Sequence, residues 1–377
     1  MSQPRVLILG SGVIGLSCAW RLAQAGAQVQ LLDTRQPGQG ATLAALGALW
    51  PASPLARGPL QELHRASLWQ FDAFAADLAR AAGVPVSCLR LGRLELLNSS
   101  KAADRAAAES AAACELWPAF AAPQPTMELL TPAQITATFP QLAPPAYPGL
   151  LCRATAQVHV SQLVAALVAA CQASGVTLRP NTRATALSLA ANRVTGILTA
   201  DGRISADTVL VTTGAWTALL GDPVAAVAPV RPAKGQGLAL QMPHAVRLDG
   251  IVKADSTYLI PWTDRGEILV GSTTEPEAGF DETPTPEASA QLLAGALGIL
   301  PGLRDAVVLR HWAGLRPQNP AKRHPPIMGP HPQLPNLFLC TAHFKTGIGL
   351  APLVSQLVTQ AILSGNLPER LVPFLPR

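Results

Sequence analysis

The stretch Gly10-Ser11-Gly12-Val13-Ile14-Gly15 lies between an apolar run, Arg5 to Leu9, and a helical pattern, Val13 to Ala25. A second strand-like run, Gln28 to Leu32, follows the helix and ends at Asp33. This order of strand, glycine-rich turn, helix, strand and acid is the fingerprint of a dinucleotide-binding β-α-β unit. The glycines allow the backbone to approach a pyrophosphate at the helix N-terminus, and the acid binds ribose hydroxyls. The sequence therefore predicts an α/β fold that opens with a Rossmann-like unit.

The length and composition of the chain are those of a folded protein with two structural units. It has 377 residues, of which 49% are hydrophobic and 14% are charged. This composition excludes intrinsic disorder as the main state, and the length exceeds that of one ordinary domain. The net charge is +5, and the basic residues are scattered singly along the chain. We therefore expect an anionic small molecule as the partner and no nucleic acid.

The cysteine pattern and the apolar stretches bear on the compartment. Six cysteines are present, without a CxxC pair or a histidine-rich cluster, at positions Cys18, Cys88, Cys114, Cys152, Cys171 and Cys340. No metal site and no redox pair is expected from this spacing, and a reducing cytoplasm fits it best. Two stretches without charge, Ala154 to Leu178 and Thr346 to Pro368, contain polar residues, glycine or proline. We interpret them as buried helices and expect no membrane span.

The rest of the chain shows further elements. Apolar residues at helical spacing predict one helix over Leu63 to Ala82 and another over Val160 to Cys171, with Ser161 near the start of the second. Leu89 to Leu97 is typical of a strand, and so is Thr208 to Thr212, which leads directly into a glycine. Eight prolines between Pro118 and Pro148 indicate an irregular crossing between domains.

The glycine-rich fingerprint by itself does not separate NAD from FAD. Three observations favour FAD. The chain has a single fingerprint, so electrons would come from an organic substrate rather than from a second, nicotinamide site. Small residues fill Thr42 to Leu49, where a bulky planar ligand could lie. The loop His343 to Gly349 opens the last predicted helix and could direct a helix N-terminus at a reduced, anionic flavin ring.

With these residues in place, the sequence resembles the flavin-dependent amine and D-amino acid oxidases of the glycine oxidase and sarcosine oxidase type, most closely the glycine oxidases. The resemblance covers nearly the whole chain, and the run Trp-Ala-Gly-Leu-Arg-Pro is its most specific part. It is carried by Gly10 to Gly15 with Asp33, Thr42 to Leu49, Val158 to Val160, Val211 to Trp216, Trp312 to Pro317, Ala342 to Gly347 and Leu350 to Pro352.

The resemblance implies a discontinuous FAD-binding domain, interleaved with a smaller α+β substrate domain built on a mixed or antiparallel sheet. The ranges would be 1–84, 155–219 and 311–377 for FAD, and 85–154 and 220–310 for substrate. The expected cofactor contacts are Gly10, Gly12, Val13, Ile14, Gly15, Asp33, Thr34, Arg35, Thr42, Ala44, Ala45, Gly47, Leu49, Ala184, Thr213, Gly214, Trp216, Gly314, Arg316, His343, Lys345, Thr346, Gly347 and Ile348. No cysteine stands near Leu315, where sarcosine oxidases link their flavin, so the FAD would be non-covalent.

The resemblance also implies a substrate site. Arg316 would bind the substrate carboxylate, since a guanidinium can grip it through two parallel hydrogen bonds. Tyr258 would direct its hydroxyl to the same carboxylate, and Lys345 stands where glycine oxidases often carry a second arginine. Thr274 would face the substrate from a loop. No side chain is expected to act as a general acid or base, and His159 is interpreted as structural because no acid lies beside it in sequence.

The function implied is FAD-dependent oxidative deamination of small amino acids, such as glycine, sarcosine, other N-substituted glycines and small D-amino acids. A hydride would pass to flavin N5, and oxygen as acceptor would give hydrogen peroxide. The strand position of the oxygen-activating lysine of sarcosine oxidases holds Leu269, so a D-amino acid dehydrogenase that uses a quinone or carrier stays open. A non-catalytic dinucleotide-binding module and a nicotinamide-dependent dehydrogenase also stay open. A homo-oligomer is compatible with the sequence.

Overall fold

A computed structural model of the chain describes residues 3–117, 126–321 and 323–377. The α-helices in these residues are α1 (Val13–Gln24), α2 (Pro59–Leu68), α3 (Phe71–Ala82), α4 (Ser100–Leu116), α5 (Pro132–Thr138), α6 (Val160–Ala173), α7 (Val224–Val227), α8 (Pro286–Ile299) and α9 (Gly347–Ser364). Short 3-10 helices span Gly214–Leu220, Pro301–Asp305 and Glu369–Phe374.

The strands of the described residues form two large and two small sheets. They are β1 (Arg5–Leu9), β2 (Gln28–Leu32), β3 (Ala48–Leu49), β4 (Cys88–Leu89), β5 (Arg93–Leu96), β6 (Met127–Leu130), β7 (Gly149–Cys152), β8 (Ala156–Val158), β9 (Thr177–Arg179), β10 (Ala186–Ala190), β11 (Arg193–Thr199), β12 (Gly202–Ser205), β13 (Thr208–Val211), β14 (Arg231–Gln241), β15 (Ile251–Ala254), β16 (Thr257–Trp262), β17 (Glu267–Gly271), β18 (Val307–Gln318), β19 (Ile327–Pro330) and β20 (Leu337–Thr341).

The first large sheet has six strands in the order β19-β20-β13-β1-β2-β9, and all its pairs are parallel except β19 with β20. Strand β1 is central because its apolar residues are buried on both faces, as expected of a parallel strand. The chain leaves β1 through α1 to β2 on one side, while β13 lies on the other. The carboxyl end of β1 is therefore a topological switch point, where ligands bind in open α/β sheets.

Helices α1, α3, α6 and α9 contribute to one continuous apolar core over this sheet. Helix α9 is long and apolar enough to cross a membrane, with a mean hydropathy of 1.4, but 56% of it is buried inside the protein. It packs against α1 and α2, and Leu350, Ala351 and Val354 have no exposed surface. Core packing therefore accounts for the apolar character of this helix.

The second large sheet has eight strands in the order β18-β14-β17-β16-β15-β5-β7-β6 and is antiparallel except between β15 and β5. Helix α8 packs on it through Leu292 and Ala296, which belong to its apolar core. This mixed sheet agrees with the predicted fold class. Residues 311–318, which the sequence analysis grouped with the FAD-binding segments, lie in β18 and thus in this sheet. The other domain ranges stay a prediction.

The structure corrects three local predictions. Residues 63–82 form two helices, α2 and α3, which separate at Trp69 because α2 packs on α9 whereas α3 packs on α6. Residues 89–97 hold parts of two strands of different sheets, which Gly92 separates with a φ of +78°. The proline-rich segment contains β6 and α5 rather than a wholly irregular crossing, and its residues 118–125 lie outside the described part.

Candidate active site

A cavity of about 890 Å³ lies where the two large sheets meet, within the range of roughly 300–1,000 Å³ that is usual for ligand sites. Residues after the carboxyl ends of β1 and β13 line one part of it. Side chains of β16 and β18, from the eight-stranded sheet, line another part. The cavity thus joins the predicted nucleotide-binding turn to the predicted substrate residues.

The glycine-rich turn is shaped for a close approach to a ligand. Gly10 has a φ of +104°, and a Cβ there would lie 2.6 Å from the carbonyl oxygen of Thr212. Gly12 caps α1 without a side-chain hydrogen bond, and the N–H of Val13 donates to Thr42 Oγ1 at 3.0 Å. Gly12, Val13 and Ile14 line the cavity, so the N-terminus of α1 lies at it, as a pyrophosphate requires. The turn fits the phosphates of a dinucleotide.

Asp33 lies at the cavity wall beside this turn. Its Oδ2 accepts hydrogen bonds from the backbone N–H of Ser11 at 2.6 Å and from Ser11 Oγ at 2.8 Å. These contacts hold the carboxylate toward the place of an adenosine ribose. The neighbouring Arg35 stacks on the ring of Trp216 at 4.5 Å and pairs with Glu282 at 2.7 Å. An adenine ring bound here would contact a charged and aromatic part of the cavity wall.

The small residues of 42–49 allow strand β18 to come close. A Cβ on Gly314 would lie 2.2 Å from the Cβ of Ala44, and the Nε1 of Trp312 donates to the carbonyl oxygen of Ala44 at 2.9 Å. Gly47 has a φ of +84°, and a Cβ there would meet the carbonyl oxygen of Val158 at 2.1 Å. A side chain at either glycine would collide with neighbouring protein atoms and push apart the strands and loop that form this part of the cavity wall. This part of the cavity fits a flavin.

The loop before α9 forms the opposite part of the wall. Thr346 caps the helix, and its Oγ1 donates to the carbonyl oxygen of His343 at 2.8 Å. His343 is buried, and this burial lowers its pKa to about 4, so the ring is neutral at neutral pH. The N-terminus of α9 therefore presents N–H groups and a partial positive charge to the cavity without a competing imidazolium.

Arg316 on β18 is a largely buried cation that forms no ion pair with a carboxylate among the described residues. Its Nη1 donates to the carbonyl oxygen of Thr273 at 3.0 Å, and its Nη2 donates to Ser272 Oγ at 3.1 Å. Burial lowers the pKa of Arg316, but a guanidinium keeps its charge. Its hydrogen bonds all go to neutral groups, and Glu275 acts on the charge without forming an ion pair, so the site favours an anion from outside the chain.

Two further predicted residues lie beside Arg316 in the cavity wall. Tyr258 Oη donates to Ser272 Oγ at 3.4 Å, so the tyrosine and the arginine share one serine. Lys345 Nζ donates to Thr274 Oγ1 at 3.0 Å. Burial and the nearby Arg316 lower the pKa of Lys345. The wall therefore gathers two cations and a phenol from three distant parts of the sequence.

The structure places every predicted substrate and cofactor residue at this cavity except Gly15. A Cβ on Gly15 would lie 1.9 Å from the carbonyl oxygen of Gly10, so this glycine serves the packing of α1 on the turn. Cavity residues that the sequence did not predict include Trp50, His64, Lys253, Asp255 and Ser256. Trp50 directly follows the predicted 42–49 stretch, whereas no local pattern marks the others.

His159 has the structural role that was expected of it. Its Nδ1 accepts a hydrogen bond from the N–H of Gln162 at 3.3 Å, so it caps α6. Its ring also makes an edge contact with Trp262, with the ring centres 5.0 Å apart. Burial lowers its pKa, which favours the neutral ring that a cap needs.

Comparison with known proteins gives one consistent family. Residues 5–361 match the family model described as FAD dependent oxidoreductase. Glycine oxidase of Pseudomonas putida is 34% identical over 99% of this chain and 98% of its own length. The crystal structure of glycine oxidase from Geobacillus kaustophilus superposes with a TM-score of 0.89 at 27% identity, covering 100% of this chain and 99% of that one.

An enzyme with another substrate in its name is about as similar in structure. Iminodiacetate oxidase from Chelativorans sp. BNC1 has a TM-score of 0.87 and 28% identity, covering 99% of each chain. The family match spans most of the chain, and the cavity carries a dinucleotide-binding turn. The chain therefore belongs to the FAD-dependent oxidoreductases and is an enzyme of the glycine oxidase type.

Proposed function

We propose that the enzyme oxidatively deaminates small amino acids, with glycine, sarcosine, other N-substituted glycines and small D-amino acids as the substrate class. The observation that carries the proposal is the largely buried guanidinium of Arg316, which forms no ion pair with a carboxylate of the described residues, in the same cavity as the nucleotide-binding turn. A substrate carboxylate would supply the missing charge through two parallel hydrogen bonds. The reacting amine would then lie at the part of the cavity that fits the flavin.

The roles of the side chains follow from this placement. Arg316 and Tyr258 hold the carboxylate, Lys345 adds a second cation, and Thr274 orients Lys345 through its hydroxyl. The bound flavin would accept a hydride from the substrate α-carbon at N5. Water then hydrolyses the imine product, so glycine, oxygen and water give glyoxylate, ammonia and hydrogen peroxide. No described side chain is assigned as a general base, because the substrate amine loses its proton to solvent.

The cofactor contacts form a second part of the proposal. The turn after β1, Asp33, the 42–49 stretch and the loop before α9 would hold FAD without a covalent bond. Leu315 and Arg316 stand where relatives with linked flavin would need a cysteine. The six cysteine thiols are all free, as a reducing cytoplasm would keep them. We therefore place this activity in the cytoplasm.

A dehydrogenase that passes electrons to a quinone or carrier is the second candidate. Leu269 favours it, because an apolar residue occupies the strand position where sarcosine oxidases carry a lysine that activates oxygen. The two candidates share the substrate half of the reaction and differ in the acceptor. The yield of hydrogen peroxide in air separates them.

The test begins with the visible spectrum of the purified protein before and after anaerobic addition of glycine. Bleaching of an oxidised flavin band is the expected result, followed in air by one hydrogen peroxide for each glyoxylate. Bleaching with little peroxide would support the dehydrogenase. A flavin band that glycine, sarcosine, iminodiacetate, D-alanine and D-proline all leave intact would overturn the proposed function and support a non-catalytic module.

A further inference from the structure

We propose that Trp50 determines which substrates the site accepts, by limiting the size of the group carried on the substrate nitrogen or α-carbon. The inference rests on the proposed function, because it assigns a specificity residue to that same site. Trp50 follows β3 directly and lines the cavity together with Tyr258 and Arg316. It is thus a wall residue beside the groups that hold the carboxylate.

The ring of Trp50 is packed directly against the substrate tyrosine. The ring centres of Trp50 and Tyr258 lie 4.9 Å apart with an angle of 75° between the planes, an edge-to-face arrangement. Such pairs favour one relative orientation of the two rings. Both residues border a small apolar cluster with Leu46, Ile251 and Ile260 at its centre. The wall next to the carboxylate site is therefore apolar and filled by the indole.

Three charged residues, Arg93, Glu95 and Lys253, form a platform that packs against the indole. The guanidinium of Arg93 lies 4.9 Å from the centre of the Trp50 ring, and Arg93 pairs with Glu95 at 3.0 Å. Glu95 also pairs with Lys253, which lines the cavity itself. Strands β5 and β15 carry these three charges in adjacent positions, with Lys253 opposite Glu95. Because the platform is built on paired strands, Trp50 has little room to swing away from a larger substrate.

The indole acts by its bulk and not by a hydrogen bond. Trp50 Nε1 is buried and has no hydrogen-bond partner among the described residues. A ligand in the cavity cannot reach this buried nitrogen, so only the carbon surface of the ring is available to it. An aromatic wall without a polar contact discriminates by shape and size. Shortening the side chain should therefore enlarge the site without removing a contact to the carboxylate.

The experiment compares flavin-loaded wild type with Trp50→Ala and Trp50→Phe. The kcat/KM for N-benzylglycine and for glycine is measured in each, and the ratio of the two is the readout. We expect the ratio to rise at least about 10-fold in Trp50→Ala, the scale on which pocket size discriminates substrates, and to stay near wild type in Trp50→Phe. Trp69→Ala is the matched control, because Trp69 pairs with Trp117 and does not line the cavity.

A binding measurement separates this inference from the proposed function. The Kd values of acetate and phenylacetate are determined from the change of the flavin spectrum, which needs no turnover. Trp50→Ala should lower the Kd of phenylacetate relative to that of acetate, even in a protein that oxidises no amine. A failure to oxidise any amine would overturn only the proposed function. The role of Trp50 would be overturned if both the ratio of kcat/KM values and the ratio of Kd values were the same in wild type and Trp50→Ala. Trp50→Leu replaces Trp50→Ala if the smaller variant loses its flavin.

Discussion

The most unusual residue of the site is the buried Arg316. Its hydrogen bonds go to two carbonyl oxygens and a hydroxyl, all neutral groups, and no carboxylate of the described residues forms an ion pair with it. A protein tolerates such a cation where a ligand completes the pairing. The residue is thus poised for a carboxylate before the substrate arrives, and its removal should affect binding more than flavin chemistry.

Arg316→Met should raise the KM for glycine by roughly 100-fold, since two hydrogen bonds to a charged group contribute about 3 kcal/mol. The flavin content should survive the change. The KM of Arg316→Lys should lie between those of the wild type and Arg316→Met, because a point charge cannot form the two parallel hydrogen bonds. Steady-state kinetics on flavin-matched samples provide the measurement. Unchanged kinetics in Arg316→Met would contradict the assignment.

Lys345 should make carboxylate binding depend on pH. Burial, with a smaller contribution from Arg316, lowers its pKa below the ordinary 10.5, so it loses its charge at a lower pH than a surface lysine does. The cation exists below this pKa, and the Kd of acetate should therefore increase as the pH rises toward it. Spectral titrations of the flavin with acetate at several pH values measure this. The rise should be absent in Lys345→Met, and an identical rise there would assign the effect to another group.

Among the elements, helix α1 and its turn determine where the cofactor would lie. The packing of α1 on β1 requires glycine at position 15, where a Cβ would collide with the carbonyl oxygen of Gly10. The loss of that packing would displace the helix N-terminus that faces the cavity. Cofactor binding and helix packing therefore depend on the same glycine.

Gly15→Ala should yield protein with much less bound FAD and a lower melting temperature, because the added Cβ meets backbone at 1.9 Å. Gly298→Ala is the matched control, since Gly298 lies in α8 with nothing within 4 Å of its would-be Cβ. Alanine is the better helix former by about 0.5–1 kcal/mol, so the control should be neutral or slightly stabilised. Flavin absorbance per protein and thermal unfolding provide the measurements. Normal flavin content in Gly15→Ala would contradict this account.

For the whole molecule, the segment 272–285 connects strands β14 and β18 of the eight-stranded sheet with the site. Ser272 and Thr273 contact Arg316 at one end of it. Further along, Asp281 pairs at 2.7 Å with Lys234, whose side chain is only 2% exposed. The hydrogen bond from Lys234 lowers the pKa of Asp281 to about 2. The ion pair therefore fixes the segment against the start of β14, beside Arg316.

Asp281→Asn should lower the melting temperature, because it leaves the buried ammonium of Lys234 without its carboxylate. It should also raise the KM for glycine modestly while kcat stays near wild type, as the contacts of Arg316 loosen. Asp207→Asn is the control, since Asp207 and its partner Arg5 are both about half exposed and such pairs contribute little. Similar melting temperatures for the two variants would contradict the structural role of the Lys234 pair.

The elements differ in how far the sequence alone revealed them. Strands β1 and β2 begin and end where the sequence predicts, because each is a short segment with branched apolar residues and lies directly beside a glycine or alanine turn or the end of a helix. The single helix predicted over 63–82 is wrong, because its break at Trp69 follows from packing against two different helices. Local patterns carry information about local hydrogen bonding and none about the choice of tertiary partner.

The sequence by itself determined the nucleotide-binding turn, the α/β class and the small-residue stretch, because their chemistry is set by neighbours along the chain. Only the tertiary structure decided that Trp50 packs on Tyr258 and that Ser272 serves both Tyr258 and Arg316. These contacts join side chains from different strands and loops, which only the tertiary fold brings together. The physical reason is that sequence periodicity reports which face of an element is apolar, whereas a cavity wall is defined by what packs behind it.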